Sequence, residues 1–182
     1  MSIIYGERVR LRAPERTDVE KFHAWVNDPE VTEGLALSLP MSMQDEEAWF
    51  HALANRPPPE KPLAIECREG EGWRLIGNSG FFDFDHTARS AEIGIMIGDK
   101  SYWNKGYGTE AMGLLLSHGF DTLNLNRIFL RVYASNPRAI RSYEKAGFTL
   151  EGRLREAVFQ RGAYGDVLIM SALRSEWDAG RK

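Results

Sequence analysis

The stretch that decides the fold of this chain is residues 103–111, Trp-Asn-Lys-Gly-Tyr-Gly-Thr-Glu-Ala, where two glycines separate a strand pattern from a long apolar helical pattern. Gly106 and Gly108 allow a tight turn and the close approach of a ligand, and the first N–H groups of the following helix point outward. Lys105 adds a positive charge. The stretch suits a bound phosphate, although a structural strand-to-helix turn explains the glycines equally well.

Downstream of this loop, apolar residues recur at helical spacing through Ala111, Leu114 and Leu115, which predicts a well-buried helix. His118 continues the same pattern and is therefore expected in the core instead of in a catalytic role. Residues Arg127–Tyr133 then alternate as a strand. Because a strand, a buried helix and a strand follow one another, we expect a parallel strand pair with a cleft between its members.

A further helix is predicted after this strand, with Asn136 as its cap, Pro137 at its first position and Gly147 as its left-handed stop. Two strands over about 150–161 and 166–173 complete the chain.

Upstream of the loop, residues 7–12 alternate polar and apolar side chains and predict a strand. Thr17 or Asp18 caps a helix that runs to about Asn27, where Asp28-Pro29 ends it, and a second helix begins near Ser42. Strands over 63–68, 73–83 and 91–97 form an antiparallel meander. These elements predict one mixed α/β domain over residues 1–182.

The composition, with 43% apolar and 27% charged residues, is that of an ordinary globular chain. The single Cys67 excludes an internal disulfide, and the chain has neither a membrane-length apolar run nor an apolar start typical of a secretory signal, so we expect a cytoplasmic protein with no membrane partner. A net charge of −3 with dispersed basic residues disfavours nucleic-acid binding. The four histidines lack metal-ligand spacing, so no metal is expected.

Four segments together carry a family resemblance, namely residues 7–12, 91–94, 102–111 and 136–148. They resemble the GNAT superfamily of acyl-CoA-dependent N-acetyltransferases and, within it, the branch of ribosomal-protein alanine N-acetyltransferases. The resemblance implies an α/β fold with a mixed, mostly antiparallel sheet, whose central parallel strand pair splays apart and is flanked by helices. One departure is Trp103, which stands where the family loop commonly has Gln or Arg.

The resemblance also implies that acetyl-CoA is the cosubstrate. The glycine loop and the helix N-terminus would hold its pyrophosphate, and backbone groups of a splayed strand would bond the amides of its pantetheine arm. The implied cofactor-binding residues are Ile95, Met96, Ile97, Trp103, Asn104, Lys105, Gly106, Tyr107, Gly108, Thr109, Asn136 and Tyr143.

In the implied reaction a neutral primary amine attacks the acetyl thioester and coenzyme A leaves as a thiolate. The family pattern places Tyr143 near the thioester sulfur, where its phenol would protonate the leaving group, although spacing alone describes an ordinary buried aromatic. Glu92 is the candidate general base, with a structural ion-pair role as its alternative. Helix capping likewise explains Asn136 without any cofactor.

The acceptor stays open among protein N-termini, polyamines, amino sugars and other small amines. Acids and aromatics of the front third could recognise a cation, although solvated helix faces and core packing account for most of them; they are Glu30, Glu33, Asp45, Glu46, Glu47, Trp25, Trp49 and Phe50. No acceptor residue is assigned from them, and a homodimer is possible.

Two rival functions are considered beside acetyl transfer. Residues 106–111 formally fit the Gly-x-Gly-x-x-Ala fingerprint of dinucleotide binding, but the acidic residue expected about twenty positions later is missing. A non-catalytic coenzyme A-binding sensor or interaction module remains as the alternative.

Overall fold

The structure, a computed structural model, describes residues 3–35 and 40–180. The chain divides into two compact units. The first unit comprises the residues up to Phe81 together with Ile95–Ala111, and the second comprises Phe82–Gly94 together with the residues from Met112 onward. The prediction of one domain over residues 1–182 stays a prediction.

Eight strands form the sheet of the described residues. They are β1 (Ile4–Tyr5), β2 (Val9–Arg12), β3 (Leu63–Glu69), β4 (Gly72–Asp85), β5 (Ser90–Ile97), β6 (Arg127–Tyr133), β7 (Thr149–Gln160) and β8 (Ala163–Leu173). Hydrogen bonds join them in the order β1-β2-β3-β4-β5-β6-β8-β7. The sheet is mostly antiparallel and contains one parallel pair, β5 with β6, so the predicted α/β fold class is confirmed.

Six α-helices lie in the same residues. They are α1 (Val19–Val26), α2 (Pro29–Thr32), α3 (Met43–Ala52), α4 (Tyr107–Ser117), α5 (Pro137–Ala146) and α6 (Arg174–Gly180). A π-helical turn, His118–Thr122, extends α4. None of the helices in the described part of the chain is long and apolar enough to cross a membrane.

The parallel pair is short. β5 and β6 pair at three positions, which end with Glu92 opposite Phe129, although β5 continues to Ile97 and β6 to Tyr133. β6 pairs with β8 over its whole length on its other side. Beyond Phe129, therefore, one side of β6 has no strand partner among the described residues.

The predicted helix ends are confirmed by their caps. Ser42 Oγ accepts a hydrogen bond from Asp45 N at 3.1 Å, and Asp45 Oδ2 accepts one from Ser42 N at 2.9 Å, which is a capping box at the start of α3. Asn136 Oδ1 accepts from Ala139 N at 3.0 Å, and Gly147 ends α5 with a φ of 103°. Local sequence therefore sets these boundaries.

Three elements were not predicted, and the start of one strand was placed too late. The first helix ends before Asp28-Pro29 as predicted, since α1 stops at Val26 with Asn27 as its C-cap, but the same pair also starts α2, which was not predicted: the Asp28 side chain accepts from Glu30 N, and Pro29 lies in the first turn. β1 and α6 were not predicted, and β8 begins at Ala163 instead of Asp166. The missed elements β1, α2 and α6 have two, four and seven residues, too few for a periodic pattern to be recognised.

The core of the first unit joins α1 and α3 to the sheet. Phe22, Ala64 and Leu75 form a buried cluster against which the half-buried Trp25 and Trp49 pack. Cys67 is fully buried with a free thiol, as expected for a packing residue. These contacts agree with the expectation that most aromatics of the front third serve the core.

A glycine allows the backbones of β4 and β5 to approach each other in the first unit. A Cβ on Gly77 would lie 2.1 Å from the carbonyl oxygen of Met96. Because a backbone carbonyl cannot swing aside as a side chain does, any larger residue at position 77 forces the two strands apart.

Gly77→Ala is therefore expected to destabilise the protein by about 1–3 kcal/mol through overpacking. The free energy of unfolding is measured by urea denaturation. Gly72→Ala on the same strand is the control, because its Cβ would meet its nearest atom, Glu69 O, at 3.7 Å. Equal midpoints for the two variants would contradict the close approach.

Candidate active site

A bulge in β4 holds the segment that leads from β5 into the glycine loop. The pairing of β3 with β4 shifts register at Ile65/Glu66, and the carbonyl of Ile76 accepts hydrogen bonds from Gly98 N at 2.9 Å and Asp99 N at 3.1 Å. A bulge frees backbone groups from the ladder. The chain leaving β5 is therefore anchored to β4 before it enters the loop.

Two residues of the loop adopt left-handed conformations, Asn104 with a φ of 60° and Gly106 with a φ of 85°. Glycine tolerates this region without steric cost, and asparagine is one of the few other residues that enter it. The carbonyl of Gly106 then accepts from Glu110 N at 3.0 Å, which begins the hydrogen bonding of α4.

Trp103 fastens the loop to the end of β5. Its Nε1–H donates to the carbonyl of Ile97 at 2.6 Å, and its ring packs against the buried cluster of Val26, Val31 and Met96. The indole thus has a structural role at the position where the family commonly has Gln or Arg. The bond also occupies one carbonyl of the segment that was expected to bind the pantetheine arm.

Arg8 and Glu110 hold the loop in place, and neither was assigned a role from the sequence. The Glu110 carboxylate accepts from Arg8 N at 2.7 Å, Val9 N at 3.0 Å and Arg8 Nε at 3.0 Å. Arg8 Nη1 donates to Lys105 O at 3.2 Å, and the guanidinium lies 4.9 Å from the centre of the Tyr107 ring. The 102 positions between the partners explain why no local signal revealed them.

The start of α4 offers hydrogen-bond donors and positive charge. The N–H groups of Tyr107 and Gly108 belong to the first turn, where a helix provides no acceptor for them. The Lys105 ammonium lies 5.7 Å from the centre of the Tyr102 ring and forms no ion pair within residues 3–35 and 40–180. This end of the helix is therefore suited to an anion.

Glu92 lies in the second unit, at the last pair of the parallel strands. It is 5% exposed, and its Oε2 lies 3.3 Å from Arg131 Nη2. Burial raises the pKa of Glu92, with a smaller contribution from Asp83, and the charge and backbone N–H of Arg131 oppose the shift. The raised pKa favours a general base, whereas the contact with Arg131 matches the ion-pair alternative, so both interpretations stay open.

Tyr143 and Asn136 lie on α5 and at its cap in the second unit. Burial raises the pKa of Tyr143 to about 12, and the charge of Arg138 opposes the shift. The ring packs edge-on against Phe148 with centroids 6.0 Å apart, and its hydroxyl has no hydrogen-bond partner among the described residues. Asn136 uses Oδ1 as a helix cap, which leaves its Nδ2 available to donate.

The predicted site residues thus fall into two groups. Ile95–Ile97 and residues 103–109 belong to the first unit, and Glu92, Asn136 and Tyr143 belong to the second. Among the described residues no group of three or more His, Cys, Asp or Glu is placed to hold a metal ion. The roles of the individual residues remain predictions.

Comparison with known proteins assigns the family. Residues 8–149 match the acetyltransferase (GNAT) domain family. The spermidine N(1)-acetyltransferase of Vibrio cholerae is 30% identical over 94% of this chain and 96% of its own, and the uncharacterized N-acetyltransferase p20 of Bacillus licheniformis is 31% identical over 97% and 99%.

A solved structure agrees with these relatives. The crystal structure of spermidine N-acetyltransferase from Vibrio cholerae in complex with CoA and spermine superposes with a TM-score of 0.84 and 29% identity, covering 94% of this chain and 99% of that one. The chain belongs to the acetyltransferase (GNAT) domain family and is an N-acetyltransferase.

Proposed function

We propose that this enzyme transfers the acetyl group of acetyl-CoA to a primary amine of a polyamine. The observation that carries the proposal is the likeness, over nearly the whole chain, to a spermidine N-acetyltransferase whose structure holds CoA and spermine. A second amine recognised beside the reacting one distinguishes this acceptor class from simple monoamines.

The first unit offers surfaces that fit the charged end of acetyl-CoA. The pyrophosphate would accept hydrogen bonds from Tyr107 N and Gly108 N at the start of α4, next to Lys105. Asn104 and Gly106 have the left-handed conformations that bring these donors to the start of α4. Trp103 and Thr109, the other loop residues that the resemblance implies, lie on either side of this turn. Arg8 holds the loop by donating a hydrogen bond to the carbonyl of Lys105.

The pantetheine arm would use backbone groups of Ile95, Met96 and Ile97, with the Nδ2 of Asn136 as a further donor. Met96 and Ile97 each already make one close backbone contact, Met96 O next to Gly77 and Ile97 O with the Trp103 indole. The amides of the pantetheine arm would therefore bond to the backbone N–H groups of these residues and to the second lone pair of each carbonyl oxygen.

The reacting amine must be neutral when it attacks the carbonyl carbon of the thioester. A lysine-like amine has a pKa of about 10.4, so deprotonation at pH 7 costs roughly 4 kcal/mol. Glu92 is the proposed base, acting directly or through water, and burial raises its pKa toward the range in which a carboxylate accepts a proton efficiently. A backbone N–H in Ile95–Ile97 would stabilise the oxygen that becomes negative.

Tyr143 is the proposed acid. With a pKa of about 12 its hydroxyl is fully protonated at neutral pH. It can therefore donate its proton to the sulfur as the carbon–sulfur bond breaks, which releases coenzyme A as a thiol. Its hydroxyl is uncommitted among the described residues, as a proton donor to a substrate should be.

The ribosomal-protein branch suggested by the four sequence segments gives a second acceptor class, protein N-termini. A non-catalytic coenzyme A sensor would bind the cosubstrate without turnover. Both are distinguished from polyamine acetylation by the acceptor assay below.

A homodimer through the β7–β8 hairpin is part of this proposal. Four large apolar side chains of the hairpin are exposed: Leu150, Leu154, Phe159 and Tyr164. β7 is also the last strand in the sheet order, with an edge open to pairing. Gel filtration with light scattering measures the oligomeric state.

For the acceptor, we expect thiol release from acetyl-CoA to saturate with spermidine and spermine and to stay near background with Ala- and Ser-terminated peptides and amino sugars. The assay follows free coenzyme A colorimetrically, with protein-free reactions as controls. Turnover confined to the peptides would support the ribosomal-protein branch, and tight acetyl-CoA binding without any turnover would support the sensor.

For the loop, Gly106→Val is expected to weaken acetyl-CoA binding at least about tenfold, because a β-branched residue with a φ near 85° is strained by about 1–3 kcal/mol. Calorimetric titration measures the affinity. Gly113→Val in α4 is the matched control, since a Cβ there meets no described atom within 4 Å apart from its chain neighbours and the backbone of its own helix. Unaltered affinity of the Gly106 variant would contradict the proposed binding of the pyrophosphate by the glycine loop.

For the acid, Tyr143→Phe is expected to lower kcat at least about tenfold with little change in acetyl-CoA affinity, because the ring remains and only the proton donor is removed. Tyr5→Phe, at a 59% exposed position, is the control. A Tyr143 variant with the kcat of the wild type would exclude this residue as the acid.

A further inference from the structure

Arg8, which directly precedes β2, contacts three consecutive residues of the glycine loop. Its Nη1 donates to the carbonyl of Lys105 at 3.2 Å, its Nη2 lies 3.2 Å from the position that a Cβ on Gly106 would take, and its guanidinium lies 4.9 Å from the centre of the Tyr107 ring. The first two contacts place the guanidinium against the peptide bond that joins residues 105 and 106.

This peptide has its two polar groups on opposite sides. In a planar trans peptide the C=O and the N–H point in opposite directions. Because the carbonyl of Lys105 points at Arg8, the N–H of Gly106 points away from Arg8. That N–H has no hydrogen-bond partner among the described residues. It is therefore available to an anion together with the N–H groups of Tyr107 and Gly108, which have no acceptor within the helix.

The guanidinium also strengthens this donor. Hydrogen bonds that follow one another through a peptide polarise each other, so a cation at the carbonyl oxygen makes the N–H of the same peptide a stronger donor. An anion at the N–H of Gly106 and the guanidinium at the carbonyl of Lys105 would lie at opposite ends of one peptide dipole. Arg8 therefore orients and polarises a donor without touching the anion.

Glu110 fixes the guanidinium in this place. Its carboxylate accepts from Arg8 Nε at 3.0 Å, and it also accepts from the backbone N–H groups of Arg8 at 2.7 Å and Val9 at 3.0 Å. The Arg8 side chain is 47% exposed and that of Glu110 is 19% exposed. An ion pair so accessible to water contributes little to the stability of a fold. Its main effect is therefore on the direction of the guanidinium.

We propose that Arg8 and Glu110 are positioning residues that set the affinity for acetyl-CoA. They hold the peptide between Lys105 and Gly106 so that its N–H is directed at a phosphate oxygen. This role rests on the proposed binding of the pyrophosphate by the glycine loop and assigns the residues outside the loop that orient its donor. Where the family commonly has Gln or Arg in the loop, this chain has Trp103, and a guanidinium reaches the loop from the start of β2.

The charge of Glu110 distinguishes positioning from electrostatic attraction. If Arg8 only attracted the phosphates, removal of the negative charge beside it would strengthen acetyl-CoA binding. If Glu110 holds Arg8 in position, Glu110→Gln weakens binding, because the glutamine amide presents a donor to the Nε–H of Arg8 and releases the guanidinium. The glutamine oxygen still accepts the two backbone N–H groups, so the contact with β2 is kept.

The test is calorimetric titration of acetyl-CoA onto Glu110→Gln, Arg8→Gln and the double variant. We expect each single variant to weaken binding at least about fivefold, the effect of about one hydrogen bond. The double variant should bind no more weakly than the weaker single variant, because both substitutions act through one contact. Arg10→Gln is the matched control, since Arg10 lies on β2 and pairs with Glu66 at 2.5 Å but makes no hydrogen bond or ion pair with the loop among the described residues.

Kinetics separate positioning from a general loss of structure. With spermidine as acceptor, the KM for acetyl-CoA should rise in both single variants, while kcat at saturating acetyl-CoA changes less than about twofold. A kcat that falls with an unchanged KM overturns the positioning role. So does a Glu110→Gln variant that binds acetyl-CoA as tightly as the wild type or more tightly, and so does equal weakening in Arg10→Gln.

The same titrations separate this role from the proposed function. Weaker acetyl-CoA binding in Glu110→Gln, without spermidine turnover by the wild type, supports the positioning role and overturns polyamine acetylation. Spermidine turnover by the wild type with equal acetyl-CoA affinity in all variants overturns the positioning role alone. Absence of acetyl-CoA binding to the wild type overturns both.

Discussion

The carboxylate of Glu110 is the fixed point on which the glycine loop depends. It receives two backbone N–H groups from the start of β2 and the guanidinium of Arg8, and Arg8 in turn holds the carbonyl of Lys105. A charge-assisted hydrogen bond is about twice as strong as a neutral one, and here three converge on one group. The loop can therefore keep left-handed residues at positions 104 and 106, next to the first turn of α4, where the N–H groups of Tyr107 and Gly108 have no acceptor within the helix.

In the same unit, buried carboxylates are paired with arginine side chains. Asp18 and Glu66 are surrounded by arginine, which compensates the cost of removing a carboxylate from water. In the second unit, Glu92 and Tyr143 have raised pKa values because they too are withdrawn from water.

Sequence patterns predicted most of the secondary structure because the signals are local. The caps at Ser42 and Asn136 and the left-handed stop at Gly147 involve partners within a few residues, so they can be recognised from spacing alone. Asp28-Pro29 ends α1 as predicted, but α2 was missed because the same two residues can follow one helix and start another. Strand pairing order and the bulge in β4 join residues far apart in sequence and needed the structure.

By itself, the sequence determined the α/β class, the glycine loop before a buried helix and the resemblance to N-acetyltransferases, because periodicity, capping and motif spacing are properties of neighbouring residues. Only the tertiary structure decided that Trp103 bonds to the end of β5, that Arg8 and Glu110 hold the loop, and that Glu46 is buried while Glu47 is not. The physical reason is that burial and partnership depend on which distant side chains surround a group. The sequence of three neighbouring acids in α3, Asp45, Glu46 and Glu47, does not indicate which of them becomes buried.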